Sequence, residues 1–107
     1  MKAILEFLDA NYKQPLTRRE IAKAVGYNES YISHLFSHTM GVTLPEYIHA
    51  MRIDDACHLL KETNLTVSQI ASELGFASIR NFNRVFVHRT GMTPRQYRTT
   101  DKKDTVL

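Results

Sequence analysis

Two arginines and a histidine recur at four-residue spacing in the second half of the chain, as Arg80, Arg84 and His88, with Asn81 beside the first. On a helix, side chains four residues apart lie on one face, so these groups form a single stripe. In the major groove an arginine can donate to both acceptors of guanine, and an asparagine can pair similarly with adenine. The stripe has the chemistry to read base edges of duplex DNA, although an ordinary solvated charged face is the alternative interpretation.

A second polar stripe lies in the first half of the chain and carries less charge. Ser30, His34 and His38 share the outer face of a predicted helix, and Ser33 and Ser37 lie near its edges. Hydroxyl and imidazole groups can contact bases or phosphates, but they lack the permanent charge of arginine. We therefore expect weaker base specificity from this face than from the arginine stripe.

Other chemistries find little support in the sequence. His34 and His38 have the spacing of a helical zinc pair, but no glutamate of an HExxH motif stands between them, and no third ligand is evident. The strings GxSxG and GxGxxG and the P-loop string are all missing. Cys57 fits a small buried apolar position better than a reactive thiol. We predict a protein without catalytic residues, metal or cofactor.

The composition is that of an ordinary globular protein with one domain. Of the 107 residues 43% are hydrophobic and 23% are charged, and no apolar run is long enough to cross a bilayer. Cys57 is the only cysteine, which excludes an internal disulfide and fits a reducing cytoplasm. The net charge of +3 favours polyanionic partners, but it would suit RNA or a membrane surface equally well. We predict a cytoplasmic protein that does not contact membranes.

An internal repeat identifies the elements that must position the two stripes. The segment LTRREIAKAVGY, which begins at Leu16, recurs as LTVSQIASELGF, which begins at Leu65. Further along the chain, matching residues recur with an offset of 50: Phe36, His38, Gly41, Thr43 and Tyr47 correspond to Phe86, His88, Gly91, Thr93 and Tyr97. A repeat of this length predicts a duplicated structural unit.

Each copy carries the signals that begin a helix. In a capping box, a threonine side chain accepts from a free backbone amide while a Glu or Gln three residues later reaches back. Four such boxes begin at Thr17, Thr43, Thr66 and Thr93. With apolar residues recurring three and four apart, they predict an all-α chain of seven helices: 2–12, 18–25, 29–39, 44–63, 67–74, 79–90 and 94–98.

Two of the connections between helices are predicted to be tight turns. Gly26 and Gly75 each follow a short helix, where a left-handed backbone conformation lets the chain reverse at low cost. A short helix, a turn with glycine and a second helix form a helix-turn-helix, whose second helix lies in the major groove of DNA. The sequence thus predicts two tandem helix-turn-helix subdomains, 1–43 and 65–98, joined by a long central helix, 44–64, and followed by a flexible tail, 99–107. A plain helical bundle made by duplication is the alternative.

The helical wheel also predicts which side chains of the two second helices face the core. In the later helix, Ile79, Phe82 and Phe86 form the inner stripe with Val85 beside them. In the earlier helix the inner residues are Ile32 and Phe36, with Leu35 on the flank. The polar stripes then lie on the opposite side of each helix, which is the arrangement that reading base edges requires.

From Leu16 to Arg98 the sequence resembles the AraC/XylS family of bacterial transcription regulators. The most specific part is TVSQIASELGFASIRNFNRVFVHRTGMTPRQYR, which is similar to the family signature at Ile70, Ala71, Gly75, Phe76, Phe82, Arg84, Phe86, Gly91, Thr93, Pro94, Tyr97 and Arg98. The first unit fits through Ile21, Ala22, Phe36, Gly41 and Tyr47, and the connecting helix through Arg52, Ala56, Leu59 and Leu60. The chain departs from the family at Ile79, which occupies an often polar contact position.

The resemblance implies that the long helix holds two reading helices in successive major grooves on one side of the duplex. It implies the following readers: Ser30, Ser33, His34 and Ser37 in the first unit, and Arg80, Asn81, Asn83 and Arg84 in the second. Double-stranded DNA and RNA polymerase are the implied partners, and two readers in one chain suit a monomeric domain. The competing hypothesis is a helical protein-interaction module, whose binding would lack the steep salt dependence of DNA binding.

Overall fold

The computed structural model describes residues 1–100, and this part of the chain is all-helical. Its seven helices are α1 (Lys2–Asn11), α2 (Arg18–Val25), α3 (Glu29–Met40), α4 (Leu44–Glu62), α5 (Val67–Glu73), α6 (Ile79–Thr90) and α7 (Pro94–Thr99). Each bound lies within one residue of its prediction. In the predicted tail, Thr99 belongs to the last turn of α7 and Thr100 is its C-cap, whereas 101–107 lie outside the described residues. No described helix is long and apolar enough to span a membrane.

The helices begin where the capping boxes predict. At Thr17, Thr43, Thr66 and Thr93 both reciprocal hydrogen bonds of the box are present. Caps of this kind each stabilise a helix by about 1 kcal/mol, because they satisfy amides that have no partner inside the helix. Two further caps were not predicted from the sequence. At the start of α3 the side chain of Asn28 accepts from the amide of Tyr31, and at the start of α6 that of Ser78 accepts from the amide of Asn81.

The fold is a pair of helix-turn-helix units that share α4. The first core, which lies among α1, α2, α3 and the start of α4, contains Ile4, Leu8, Ile21, Ala22, Ile32, Phe36, Leu44 and Ile48. The second core, which lies among the rest of α4, α5 and α6, contains Ile53, Ala56, Leu60, Ile70, Ala71, Leu74, Phe76, Phe82, Val85 and Phe86. Because α4 contributes side chains to both cores, it joins the two units over its whole length.

One prediction about the cores is wrong. Ile79, expected on the inner stripe of α6, is 45% exposed, whereas Phe82 and Phe86 are fully buried. The wheel gives the direction of a side chain but not whether anything packs opposite it. Ile79 is the first residue of α6, and its turn extends beyond the second core. Cys57 is half-buried against that core, and burial raises the pKa of its thiol.

In each unit an arginine donates to carbonyls at or just beyond the end of the helix that precedes the helix-turn-helix pair, α1 in the first unit and α4 in the second. In the second unit, Arg98 of α7 donates from Nε to the carbonyl of Leu60 at 3.0 Å and from NH2 to that of Thr63 at 3.3 Å. In the first unit, Arg52 of α4 donates from Nε to the carbonyl of Tyr12 and from NH2 to that of Gln14, both at 2.7 Å. The two planar guanidinium groups thus satisfy carbonyls that the helix ends leave without partners.

Candidate nucleic-acid interface

Helix α6 presents the arginine stripe to the solvent, as the sequence predicts. Phe82, Val85 and Phe86 face the second core, which leaves Arg80, Arg84 and His88 exposed on the other side. Arg80, Asn81 and Arg84 line one shallow depression together with Ser78. The fold therefore brings three of the predicted readers onto a single surface at the start of the helix.

The remaining predicted readers of α6 lie on either side of this surface. Asn83 is half-buried on the flank of the helix. His88 lies farther along, where it shares a groove of about 320 Å³ with Arg84, Arg89, Glu46 and His49. This groove runs between α6 and the start of α4, so the surface formed by α6 continues toward the connecting helix.

The charge of α6 is uncompensated within the helix. It contains three arginines and no acidic residue, and none of the ion pairs among the described residues involves Arg80, Arg84 or Arg89. Guanidinium groups without carboxylate partners keep all their donors for a ligand, and they attract phosphate over a distance. Arg89 was not predicted as part of the site, because it falls off the four-residue stripe.

The predicted readers of α3 differ in how far they are exposed to solvent. Ser30 and His34 are exposed, whereas Ser33 and Ser37 are half-buried. Ser33 and Ser37 line an open cleft of about 580 Å³ that is bordered by the starts of α2 and α4. The structure therefore leaves Ser30 and His34 as the outward groups of the first reader and places the other two serines at the edge of a cleft.

A basic residue that the sequence analysis did not predict as part of the site contacts the start of α3. Arg18, the first residue of α2, donates from Nε to Glu29 at 3.4 Å and from NH1 to the hydroxyl of Ser33 at 3.3 Å. Both contacts are exposed and contribute little to stability. They hold a guanidinium beside the reader, at a helix start, where phosphate binding is common. The feature of the sequence that could have indicated this contact is the basic pair Arg18–Arg19, which follows the Thr17 cap.

Exposed aromatic and aliphatic side chains also accompany the two readers. Tyr31 of α3 is 50% exposed and packs edge-to-face on Tyr27, with 5.3 Å between the ring centroids. Ile79 occupies the start of α6, next to Arg80. An exposed apolar group at the start of a reading helix is suited to contact the methyl group of thymine, so Ile79 joins the candidate readers.

His49 of α4 lies between the two readers and is half-buried. Burial lowers the pKa of its imidazole, and the nearby charges of Arg52, Arg89 and Arg84 lower it further. Its ring stacks on Phe76, with 6.3 Å between the centroids. A neutral imidazole is therefore favoured at this position, and the positive charge of the surface comes from the arginines.

The described part of the chain contains no cluster of side chains that could ligate a metal ion. No three His, Cys, Asp or Glu side chains among those residues are close enough together to hold an ion. His34 and His38 are both exposed on α3, and a protein zinc site usually needs three or four ligands.

Comparison with known proteins gives this surface a context. The family described as "Helix-turn-helix domain" matches residues 21–100. The melibiose operon regulatory protein of Escherichia coli K12 is 38% identical over 95 residues, which are 89% of this chain and 32% of that protein. The chain thus spans about a third of the length of this curated relative.

Two solved structures are similar to the fold. The C-terminal domain of the two-component response regulator yesN from Fusobacterium nucleatum has 26% identity and a TM-score of 0.87, covering 91% of this chain and 95% of that one. A transcriptional regulator with an AraC-type DNA-binding domain from Chromobacterium violaceum has 28% identity and a TM-score of 0.78, covering 91% and 87%. Regulators and DNA-binding domains, not enzymes, are what this chain is similar to. It belongs to the AraC-type helix-turn-helix family and is a DNA-binding domain of a transcription regulator.

Proposed function

We propose that one copy of this chain reads duplex DNA with α3 and α6 in two successive major grooves on the same side of the helix. Successive grooves on one side are about 34–36 Å apart, and the longest dimension of the domain is 44 Å. The single observation that carries the proposal is the stripe of exposed arginines on α6, in which no arginine pairs with a described carboxylate. A monomer suffices, because one chain already carries two readers.

The two readers are proposed to bind by different chemistry. On α6, Arg80 and Arg84 contact guanine and Asn81 contacts adenine through paired hydrogen bonds, and Asn83 and His88 extend the contact along the groove. On α3, Ser30 and His34 contact bases, and Ser33 and Ser37 contact phosphate or sugar. Arg18 and Arg89 lie beside the readers, and we assign them to phosphate contacts, which position a protein but carry no sequence information.

We further propose that this domain works in the bacterial cytoplasm as the DNA-binding part of a longer regulator. The relatives named above are bacterial, and the chain spans about a third of the melibiose regulator. RNA polymerase is the proposed protein partner, because a bound regulator can act on transcription by contacting it. A mobility-shift assay with purified polymerase tests this: the domain should raise the affinity of polymerase for promoter DNA that carries its site.

The two-groove proposal is tested by selecting bound sequences from a random DNA pool and footprinting the selected site with hydroxyl radicals. We expect two protected segments about 10 base pairs apart, and sedimentation should give one chain per duplex. The two segments should differ in sequence, because Ser30 and His34 differ chemically from Arg80 and Arg84. Protection of one groove segment only, or a strict inverted repeat bound by two chains, would overturn the proposal.

Titrating the domain with the selected DNA at several salt concentrations separates DNA binding from a protein-interaction role of this surface. Contacts with phosphate release counterions, so the affinity for DNA should fall steeply as salt is added. Affinity that is weak and independent of salt would favour the protein-interaction module.

A further inference from the structure

We propose that Arg52 and Gly75 are positioning residues that lock the two units together and so determine the spacing between half-sites that the domain accepts. This proposal rests on the two-groove binding proposed above. It concerns a junction formed by Arg52, the turn Gly75–Phe76 and the carbonyl groups of residues 12–14. None of these residues lies on the reading faces of α3 and α6.

Arg52 holds the connection between α1 and α2 against α4. It is a buried charged residue, with 7% of its surface exposed, and it donates to the carbonyls of Tyr12 and Gln14 at 2.7 Å. Its guanidinium also lies 5.3 Å from the centre of the Phe76 ring, which belongs to the second core. One side chain therefore bonds to the first unit and stacks on the second.

Gly75 brings the backbones of the two units into direct contact. A Cβ atom built at Gly75 would lie 2.8 Å from the carbonyl carbon of Gln14 and 2.8 Å from the carbonyl oxygen of Lys13. Real side chains almost never approach a backbone this closely, so the turn of the second unit touches the first unit where only glycine fits. Asp55 of α4 also contacts the segment that follows α1, because it accepts from the hydroxyl of Tyr12 and pairs with Lys13.

Two other residues resemble Gly75 and Arg52 but lack this role: Gly26 corresponds to Gly75 in the repeat, and Arg98 makes similar bonds although it is not the repeat equivalent of Arg52. Gly26 has the same positive φ as Gly75, but its Cβ would meet nothing within 4 Å. Arg98 makes the same pair of carbonyl bonds as Arg52, but both of its acceptors lie at the end of α4 and in the connection to α5. The contacts of Arg52 and Gly75 with the other unit are therefore additions to what each unit needs for its own fold.

A rigid junction has a consequence for DNA recognition. Inserting or removing one base pair between the half-sites rotates one half-site by about 34–36° and shifts it by about 3.4 Å. Two rigidly joined readers can meet such a site only if the DNA is twisted, which costs free energy. Loosely joined readers would each find their half-site and tolerate the change.

The experiment measures affinity for the selected site and for versions with one base pair inserted or deleted between the protected segments. The wild type should bind the altered sites about tenfold more weakly or worse. Arg52→Lys keeps the charge but cannot bond to both carbonyls while stacking on Phe76. We expect it to reduce this discrimination to about twofold or less. Its affinity for a half-site of α6 alone should stay unchanged.

Arg98→Lys is the matched control. It removes the corresponding bonds within the second unit, so it should lower the melting temperature while leaving the spacing discrimination at the wild-type value. A second variant, Phe76→Leu, keeps an apolar group in the core and removes the stacked ring, and it should weaken the discrimination as Arg52→Lys does.

Three results would overturn the proposal: a folded Arg52→Lys or Phe76→Leu that discriminates like the wild type, an Arg98→Lys that loses discrimination to the same extent, or a wild type that binds all spacings within about twofold. The last result is available even if every variant fails to fold. A wild type with two footprints but no preference for spacing would remove only the junction, whereas a single footprint would remove the two-groove proposal itself.

Discussion

Residues 1–43 hold five basic and four acidic side chains, whereas residues 65–100 hold five arginines and one glutamate. The two units nevertheless share capping boxes and glycine turns. Duplication has therefore preserved what builds each helix-turn-helix and has left the exposed positions free to diverge. A reading face can change its chemistry at little cost to the fold, because its side chains do not contribute to the core.

The divergence follows the offset of 50 between α3 and α6. Ser30 corresponds to Arg80, His34 to Arg84, and Glu29 to Ile79. In the first unit Arg18 pairs with Glu29, whereas the residue that corresponds to Arg18 in the second unit is Val67. The first reader thus keeps a balanced charge at its start, and the second combines free arginines with an exposed isoleucine.

The largest effect should come from comparing the two glycine turns. Gly26→Ala forces an alanine into a positive φ and should cost about 1–2 kcal/mol of stability. Gly75→Ala adds a collision with the backbone at Gln14 and Lys13, and should cost about 1–3 kcal/mol more. Urea denaturation of both variants measures the difference. Equal losses would show that the close contact at Gly75 yields without strain.

The next comparison is between the corresponding residues Arg84 and His34. Arg84→Ala should cost about 1–3 kcal/mol of binding free energy and relax the preference at one base pair, because a bidentate contact with guanine is lost. His34→Ala should cost about 0.5–1.5 kcal/mol, the value of a neutral hydrogen bond. Titrations against the selected site and its single-base variants at several salt concentrations give both numbers.

The side chains of Arg84 and His34 are both exposed, so unchanged melting temperatures of the two alanine variants serve as the folding control. If Arg84 contacts only phosphate, its loss should weaken binding equally on every sequence and reduce the salt slope by about one. A folded Arg84→Ala protein with unaltered affinity for every DNA would show that this face of α6 is not the reader.

The smallest effect concerns Ile79 and Glu29, the corresponding first residues of the two reading helices. If Ile79 contacts a thymine methyl group, replacing that thymine with uracil should cost the wild type about 0.8 kcal/mol. The same replacement should cost Ile79→Ala less, because the shorter side chain makes less contact with the methyl group, and uracil at the position read by the start of α3 should have no effect, because Glu29 offers no apolar contact. An equal loss for wild type and variant would assign the methyl contact to another residue.

Most of the architecture could be predicted because its signals are local. A threonine cap followed three residues later by Glu or Gln needs only its own turn to form, so four of the seven described helices begin where their capping boxes indicate. The exposure of Arg80 and Arg84 could be predicted in the same way, since helical periodicity alone places them opposite Phe82 and Phe86. Ile79 was misplaced because its exposure depends on where the second core ends.

Local residue types and the repeat thus determined the seven helices, the two turns and the polar face of each reader. The tertiary structure decided what lies against these elements. In the sequence Gly26 and Gly75 are equivalent, but only Gly75 touches another backbone. Nothing in the neighbourhood of Arg52 indicates that its side chain bonds to carbonyls 38 and 40 residues earlier in the chain. The physical reason is that hydrogen bonds, caps and periodicity act within a few residues, whereas packing between units depends on how whole helices are placed in space.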